Sequence, residues 1–201
     1  MEPPHSPAAD AGATATAAVT AALTVKSPDR MTELGRSLAK LLRPGDLVML
    51  TGELGAGKTT LTRGLGEGLG VRGAVTSPTF VIARVHPPLG DGPALVHVDA
   101  YRLGGGLDEM EDLDLDVSLP DSVIVVEWGD GKVEELSENR LHVVIGRTMG
   151  DASGEASVGA SVGASGDASA DAQSDADDVR EVTLTGVGAR WAGENLAALG
   201  A

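Results

Sequence analysis

The chain has 201 residues, with 30 acidic and 15 basic side chains, a formal net charge of −15 and no cysteine. This length fits one domain with a substantial core, and the lack of cysteine excludes disulfides and thiolate metal sites. The acidic balance argues against direct binding of nucleic acid, because neutralising phosphates requires a lysine and arginine surface. No apolar run approaches the roughly 20 residues that span a bilayer, so we expect a cytoplasmic protein without membrane contact.

The N-terminal segment 1–24 is rich in alanine, threonine and proline and has no lysine or arginine. It therefore lacks the basic region of a signal peptide, and its composition predicts a disordered extension. We expect the first ordered element to be a helix that begins at Ser27-Pro28-Asp29, where Ser27 can cap the helix and Pro28 suits its first position. Apolar residues from Met31 to Leu42 then recur at helical spacing.

The most informative segment is Gly52-Glu53-Leu54-Gly55-Ala56-Gly57-Lys58-Thr59, which matches the phosphate-binding pattern G-x-x-x-x-G-K-[ST]. It follows the apolar run 47–50 and precedes a helix predicted over residues 60–69. In such a loop, backbone N–H groups and the helix N-terminus bind phosphates. Lys58 should reach the β- and γ-phosphates, and the Thr59 hydroxyl should bind Mg²⁺. The predicted nucleotide contacts in this stretch are Glu53, Leu54, Gly55, Ala56, Gly57, Lys58, Thr59 and Thr60.

Two later segments have the form of an apolar strand that ends on an acid. Residues 94–98 lead to Asp99, and residues 123–126 lead to Glu127. Either carboxylate can serve Mg²⁺ or its water shell opposite the phosphates. Before them we predict a polar loop over residues 75–80 and a strand over residues 80–83.

The rest of the sequence predicts an acidic helix, a hairpin with a long insertion, and a C-terminal helix. Residues 107–117 indicate a short acidic helix, for which packing against the sheet is a better interpretation than catalysis. Residues 141–145 and 179–184 predict a hairpin. The intervening segment 150–178 consists almost wholly of alanine, glycine, serine and aspartate, so we predict a disordered insertion; a calcium-binding β-roll is the sharper alternative, but its repeat signature is absent. A final helix is predicted over residues 191–199, with Trp191, Leu196 and Leu199 packed inward.

Four motifs together resemble the TsaE (YjeE) family of bacterial ATPases. They are the phosphate-binding segment 52–60, Ser77-Pro78-Thr79-Phe80, His97-Val98-Asp99-Ala100-Tyr101-Arg102-Leu103, and Glu127-Trp128. The resemblance covers residues 27–144 strongly and residues 180–191 weakly. It implies an α/β fold of the P-loop NTPase type, in which a mixed central sheet is flanked by helices. This domain should extend over residues 25–199 and be interrupted by the insertion 150–178.

The resemblance also implies a function. The family provides the ATPase that acts with TsaB and TsaD to make threonylcarbamoyladenosine next to the anticodon of tRNA. ATP and Mg²⁺ are the implied cofactors, and tRNA contact is expected only through the partners. By position, Lys58, Asp99 and Glu127 become the catalytic residues. Thr59 and Glu127 become the Mg²⁺ ligands, and Trp128 should lie near the nucleotide.

A P-loop small-molecule kinase is the alternative function. It shares the phosphate-binding loop, but it needs an acceptor pocket and an arginine-bearing lid that stabilises the transferring phosphoryl group. No segment of the sequence indicates such a lid.

Overall fold

Seven strands pair into one mixed sheet in the computed structural model, which describes residues 18–78, 81–102, 113–147 and 179–200. The sheet order is β1-β7-β6-β2-β5-β4-β3. The pairs among β6, β2, β5 and β4 are parallel, and the outer pairs are antiparallel. The strands are β1 (Ala18–Val25), β2 (Leu47–Gly52), β3 (Ala83–His86), β4 (Ala94–Asp99), β5 (Ser122–Glu127), β6 (Arg140–Arg147) and β7 (Arg180–Val187).

Two long helices and one short helix accompany the sheet in the described ranges: α1 (Pro28–Ala39), α2 (Lys58–Leu69) and the single turn α3 (Leu115–Ser118). The start of α1 is as predicted, because the Ser27 side chain accepts a hydrogen bond from the Arg30 backbone N–H at 3.2 Å. The predicted helix at residues 60–69 is also confirmed, although it begins at Lys58. Short 3₁₀ segments are Ala100–Arg102, Leu119–Asp121, Glu134–Leu136 and Leu196–Gly200.

The core has two layers because the central parallel strands are buried on both faces. Val48 and Leu50 of β2 face the cluster that contains α1 and α2, whereas Leu47 and Met49 face the cluster that contains Leu115 of α3. Both long helices therefore lie against one face of the sheet, and the opposite face is covered by α3 and short turns. The expected mixed sheet is confirmed, and the two long helices of the described residues lie on one of its faces.

The glycines of α2 permit a close approach to α1. A Cβ atom on Gly64 would collide with the Thr32 carbonyl oxygen, and a Cβ atom on Gly35 of α1 would collide with Leu61. Glycine lowers the intrinsic stability of a helix, but here it brings two helix backbones together over the sheet. The loss in helix propensity is thus offset by packing.

Part of the predicted N-terminal extension is a strand. The sequence indicated disorder over residues 1–24, but Ala18–Val25 form β1, an edge strand that pairs antiparallel with β7. Ala21 and Val25 are buried in the core with α1. The prediction failed because the partner of β1 lies near the other end of the chain, so no local pattern reveals the pairing. Residues 1–17 lie outside the described part of the chain.

Two further element predictions need correction, and the acidic segment is described only in part. The strand predicted at residues 80–83 begins only at Ala83, because Val81 and Ile82 form a turn in which their N–H groups donate to the Pro78 carbonyl at 2.8 Å. In the acidic segment, Asp114 has φ 47°, and only a single helical turn follows it; residues 107–112 lie outside the described part.

The C-terminal segment is a turn followed by the 3₁₀ segment Leu196–Gly200, not a helix from residue 191. Trp191 and Leu196 are nevertheless buried as predicted. Arg190 accounts for the turn: its Nε and Nη2 atoms donate to the two carboxylate oxygens of Asp46 at 3.1 and 3.0 Å, which anchors the segment to the start of β2.

The predicted hairpin is confirmed, since β6 and β7 pair antiparallel from Arg140↔Val187 to Arg147↔Arg180. The insertion predicted between them, residues 150–178, lies outside the described part. In the described ranges, no helix combines the length and the apolar character needed to cross a bilayer.

The pairing of β1 generates a test. Ala21→Asp should lower the free energy of unfolding by about 3 kcal/mol, because it places a carboxylate in the core. Ala22→Asp is the matched control: Ala22 is exposed, and its replacement should cost less than about 1 kcal/mol. Urea unfolding measures both values. Equal and small losses would show that β1 does not belong to the folded domain.

Candidate functional site

The candidate site lies at the edge of the sheet where three parallel strands end. The register places Glu127 at the end of β5 beside Leu50 of β2, and Asp99 at the end of β4 beside Glu127. The loop after β2 and the N-terminus of α2 lie at the same edge. Strand direction therefore brings together the two acids and the glycine-rich loop, which we define as residues 52–57.

The glycine-rich loop requires its glycines for different reasons. Gly55 and Gly57 have φ values of 77° and 110°, a region that side-chain-bearing residues rarely adopt. A Cβ atom on Gly52 would lie 2.5 Å from the Ile145 carbonyl oxygen of β6. The loop thus turns sharply while it stays in contact with the sheet.

Lys58 is buried beneath this loop. Its Nζ atom donates to the Gly52 carbonyl at 2.7 Å and to the Glu53 carbonyl at 3.0 Å. Burial lowers the pKa of Lys58, although the nearby charges of Glu127 and Asp99 act to raise it. An ammonium group has three donors, so the third remains for an anion in the cleft.

Trp128 packs against this cation. The Lys58 Nζ atom lies 3.8 Å from the centroid of the indole ring, which is the geometry of a cation–π interaction. Trp128 has φ 62°, a conformation that costs of order 1–3 kcal/mol in a residue other than glycine. The ring centroid of Tyr101 lies 5.2 Å from that of Trp128, so a second aromatic side chain packs against the indole.

Glu127 is the centre of a hydrogen-bonded group. Its Oε1 atom accepts from the Thr59 hydroxyl at 2.9 Å and also contacts His97 Nε2 at 2.8 Å. The side chains of His97 and Glu127 are 0% and 5% exposed. Because the Thr59 hydroxyl directs its hydrogen to Glu127, its oxygen lone pairs remain for a cation.

These groups surround a cleft of about 210 Å³. Asp99 also faces the cleft, and its Oδ1 atom accepts from the Tyr101 backbone N–H at 3.1 Å. A buried cation, backbone N–H groups at a helix N-terminus and oxygen donors in one cleft suit a phosphate chain with a hard divalent cation. The residues that line the cleft are Leu54, Gly55, Gly57, Lys58, Thr59, Thr60, Ser77, Asp99, Glu127 and Trp128.

A second cleft of about 120 Å³ adjoins the first across the glycine-rich loop. The two share Gly55, Gly57 and Thr60. The second is completed by the start of α1 and the start of β7, and its other lining residues are Ser27, Pro28, Met31, Ala56 and Arg180. Both clefts therefore border the same loop.

The structure brings the sequence-predicted residues into one place. Of the predicted set, Glu53 lies outside the lining of both clefts and contributes its backbone carbonyl to Lys58. The polar loop predicted over residues 75–80 is described only in part: Ser77 lines the first cleft, and Thr79 and Phe80 lie outside the described residues.

His97 and Tyr101 belong to the motif 97–103 that carries the family resemblance, but no specific role was predicted for either. A signal was present for His97, because it lies two residues before Asp99 on a strand and so shares its face. Arg147 lies close to Gly55: its Nη2 atom is 3.3 Å from the position that a Cβ atom on Gly55 would occupy. No feature of the sequence predicted this contact.

Comparisons with known proteins agree on one family. The family model "Threonylcarbamoyl adenosine biosynthesis protein TsaE" matches residues 25–153. A Streptomyces coelicolor protein named tRNA threonylcarbamoyladenosine biosynthesis protein TsaE is 69% identical over 169 residues, which cover 84% of this chain and 99% of that protein. A Bacillus subtilis protein of the same name is 36% identical over 167 residues, covering 82% and 85%.

A solved structure also resembles this chain. The crystal structure of Bacillus subtilis YdiB aligns with a TM-score of 0.58 and 31% sequence identity. The alignment covers 87% of this chain and 90% of that chain.

The contact between Gly52 and β6 can be tested through stability. Gly52→Ala should cost about 3 kcal/mol, because the added carbon would overlap the backbone of Ile145. Gly70→Ala is the control: Gly70 ends α2 at φ 68° with open space around a Cβ atom, so only the conformational cost of about 1–2 kcal/mol applies. Chemical denaturation distinguishes the two, and an equal cost would contradict the close approach.

Proposed function

The chain belongs to the TsaE family, and from this membership and the site geometry we propose that it is a Mg²⁺-dependent P-loop ATPase of tRNA threonylcarbamoyladenosine biosynthesis. One observation carries the proposal: Lys58, Thr59 and Glu127 converge on a single cleft at the N-terminus of α2. TsaB and TsaD are its proposed partners. Tight burial of Lys58 beside two acids is costly, and phosphate binding explains why such an arrangement is kept.

Phosphate recognition is assigned to the glycine-rich loop and Lys58. The backbone N–H groups at the start of α2 have no helical partner, and the helix dipole adds positive potential there. Lys58 is held by the Gly52 and Glu53 carbonyls, so its charge is oriented before any ligand arrives. Preorganisation of this kind avoids the cost of ordering the side chain on binding.

The oxygen donors fit a magnesium ion. Among the described residues, no group of three or more histidine, cysteine or acidic side chains can hold a metal by itself. Mg²⁺ characteristically takes one or two protein oxygens and completes its shell with phosphate oxygens and water. Thr59 and Glu127 would supply those protein oxygens, and the bound ion would neutralise charge on the phosphates.

Asp99 and Trp128 complete the assignment. Asp99 faces the cleft beside Glu127. Its proposed role is to position the water that attacks the γ-phosphate. Trp128 helps to hold the Lys58 ammonium through the cation–π contact. The adjoining cleft, with the apolar side chains of Pro28 and Met31, is assigned to the nucleoside.

The acidic surface leaves RNA binding to the partners. With a net charge of −15, the chain repels phosphate at physiological salt. The proposed division is that this chain hydrolyses ATP and the partner proteins hold tRNA and carry out the transfer.

Substitutions at the cleft should separate nucleotide binding from hydrolysis. Lys58→Ala should weaken ATP binding about 10- to 100-fold, because it removes a charge-assisted hydrogen bond worth about 1.5–3 kcal/mol. Thr59→Ala, Glu127→Gln and Asp99→Asn should lower turnover more than ADP affinity, because their assigned contacts are the metal, the water and the γ-phosphate. Calorimetric titration and phosphate-release assays give both quantities, with the exposed Lys40→Ala variant as a control. Unchanged ATPase activity in the Lys58 and Thr59 variants would refute the assignment.

The partners give a second test. The purified chain should hydrolyse ATP slowly and bind tRNA poorly at physiological salt, and addition of TsaB and TsaD should raise turnover. Repeated cycles of tRNA modification should require Lys58. Phosphorylation of a metabolite without those proteins would favour the small-molecule kinase, and tight tRNA binding by the chain alone would contradict the division of roles.

A further inference from the structure

His97 is a fully buried polar side chain that touches the proposed metal site. It lies on β4, two residues before Asp99, and its Nε2 atom is 2.8 Å from Oε1 of Glu127. The same Oε1 atom accepts from Thr59 at 2.9 Å. Two donors from different elements, β4 and α2, therefore meet one carboxylate oxygen.

The hydrogen-bond pattern indicates which ring nitrogen carries the hydrogen. An ionised carboxylate can only accept, so Nε2 of His97 is the donor. The other ring nitrogen, Nδ1, is buried and has no hydrogen-bond partner among the described residues. A buried N–H without an acceptor is more costly and rarer than a buried acceptor without a donor. A ring that carries its hydrogen on Nε2 fits both observations.

Two hydrogen bonds to Oε1 restrict the orientation of the Glu127 carboxylate more than a single hydrogen bond would. The terminal torsion of a glutamate side chain is broad and roughly two-fold, so a carboxylate at the end of a strand can rotate between its oxygens. Thr59 alone leaves this rotation open, because it offers a single hydrogen bond from a hydroxyl that itself rotates. A ring fixed in the core gives Oε1 a second donor whose position does not change.

We propose that His97 is a positioning residue that fixes Oε1 of Glu127, so that Oε2 and the Thr59 oxygen are presented together to a divalent cation bound with the nucleotide. Among the described residues, Oε2 receives no hydrogen bond, which leaves it available to the cleft. Groups that orient metal ligands in this way typically contribute 10- to 100-fold to metal affinity or activity. The inference rests on the proposed Mg²⁺–nucleotide site.

The test compares two replacements of His97 that differ in the donor. Glutamine carries an N–H group at a reach similar to that of Nε2, whereas leucine fills the space without a donor. His97→Leu should raise the Mg²⁺ concentration needed for half-maximal tightening of ATP binding by about 10-fold or more, and His97→Gln should stay within about 3-fold of the unchanged chain. Binding of ADP without Mg²⁺ should be unaffected in both, because Lys58 and the loop are untouched.

His86→Leu is the matched control. His86 is a second buried histidine, on β3, and its Nε2 atom also lacks a partner among the described residues. It does not line the cleft, so its loss should leave the Mg²⁺ requirement unchanged. Thermal melting of every variant shows whether a change in Mg²⁺ response accompanies unfolding.

The outcomes are distinct. An unchanged Mg²⁺ requirement in folded His97→Leu, or an equal rise in His97→Gln and His97→Leu, would overturn the inference alone. If His97→Leu does not fold, His97→Asn replaces it, since its amide is too short to reach Glu127 and the same difference from His97→Gln is expected. Absence of Mg²⁺-dependent nucleotide binding in the unchanged chain would overturn the proposed function itself.

Discussion

Parallel pairing of β2, β5 and β4 is the constraint on which the site depends. Because these strands run in one direction, the loop after β2 and the acids that end β5 and β4 lie at one edge of the sheet. The strands are buried on both faces, and burial of apolar surface is the dominant favourable contribution to folding. The energy that assembles the core therefore also holds two carboxylates and a lysine close together, an arrangement that would be unfavourable in isolation.

The charges in the cleft are kept because each has partners. Lys58 is bonded to two loop carbonyls and covered by an indole ring. Glu127 accepts from a hydroxyl and an imidazole. Each group still has a donor or an acceptor left for the cleft. The hydrogen bonds to the protein fix these side chains before a ligand binds, and the remaining donors and acceptors are available to the ligand.

Distant parts of the chain set the position of the glycine-rich loop. Arg190, near the C-terminus, forms a bidentate ion pair with Asp46, and both side chains are buried. Asp46 immediately precedes β2, and its carbonyl accepts from the Ile124 N–H of β5 at 3.1 Å. The ion pair thus fixes the chain where β2 begins, six residues before Gly52. Breaking one partner of a buried pair is strongly destabilising, so the C-terminal segment is part of the scaffold of the site.

The local chemistry of the site could be predicted from the amino-acid sequence. Gly55, Gly57, Lys58 and Thr59 occupy a spacing that only a sharp turn before a helix accommodates, and Asp99 and Glu127 end apolar runs whose strand character is a local property. The other features of the site depend on tertiary contacts. The pairing of β1 with β7 joins the two ends of the described chain, the left-handed backbone of Trp128 turns its ring onto Lys58, and His97 meets Glu127 only because β4 lies beside β5. These features arise from contacts between segments distant in sequence, and such contacts depend on the free energy of the whole packed sheet, which no short pattern of residues encodes.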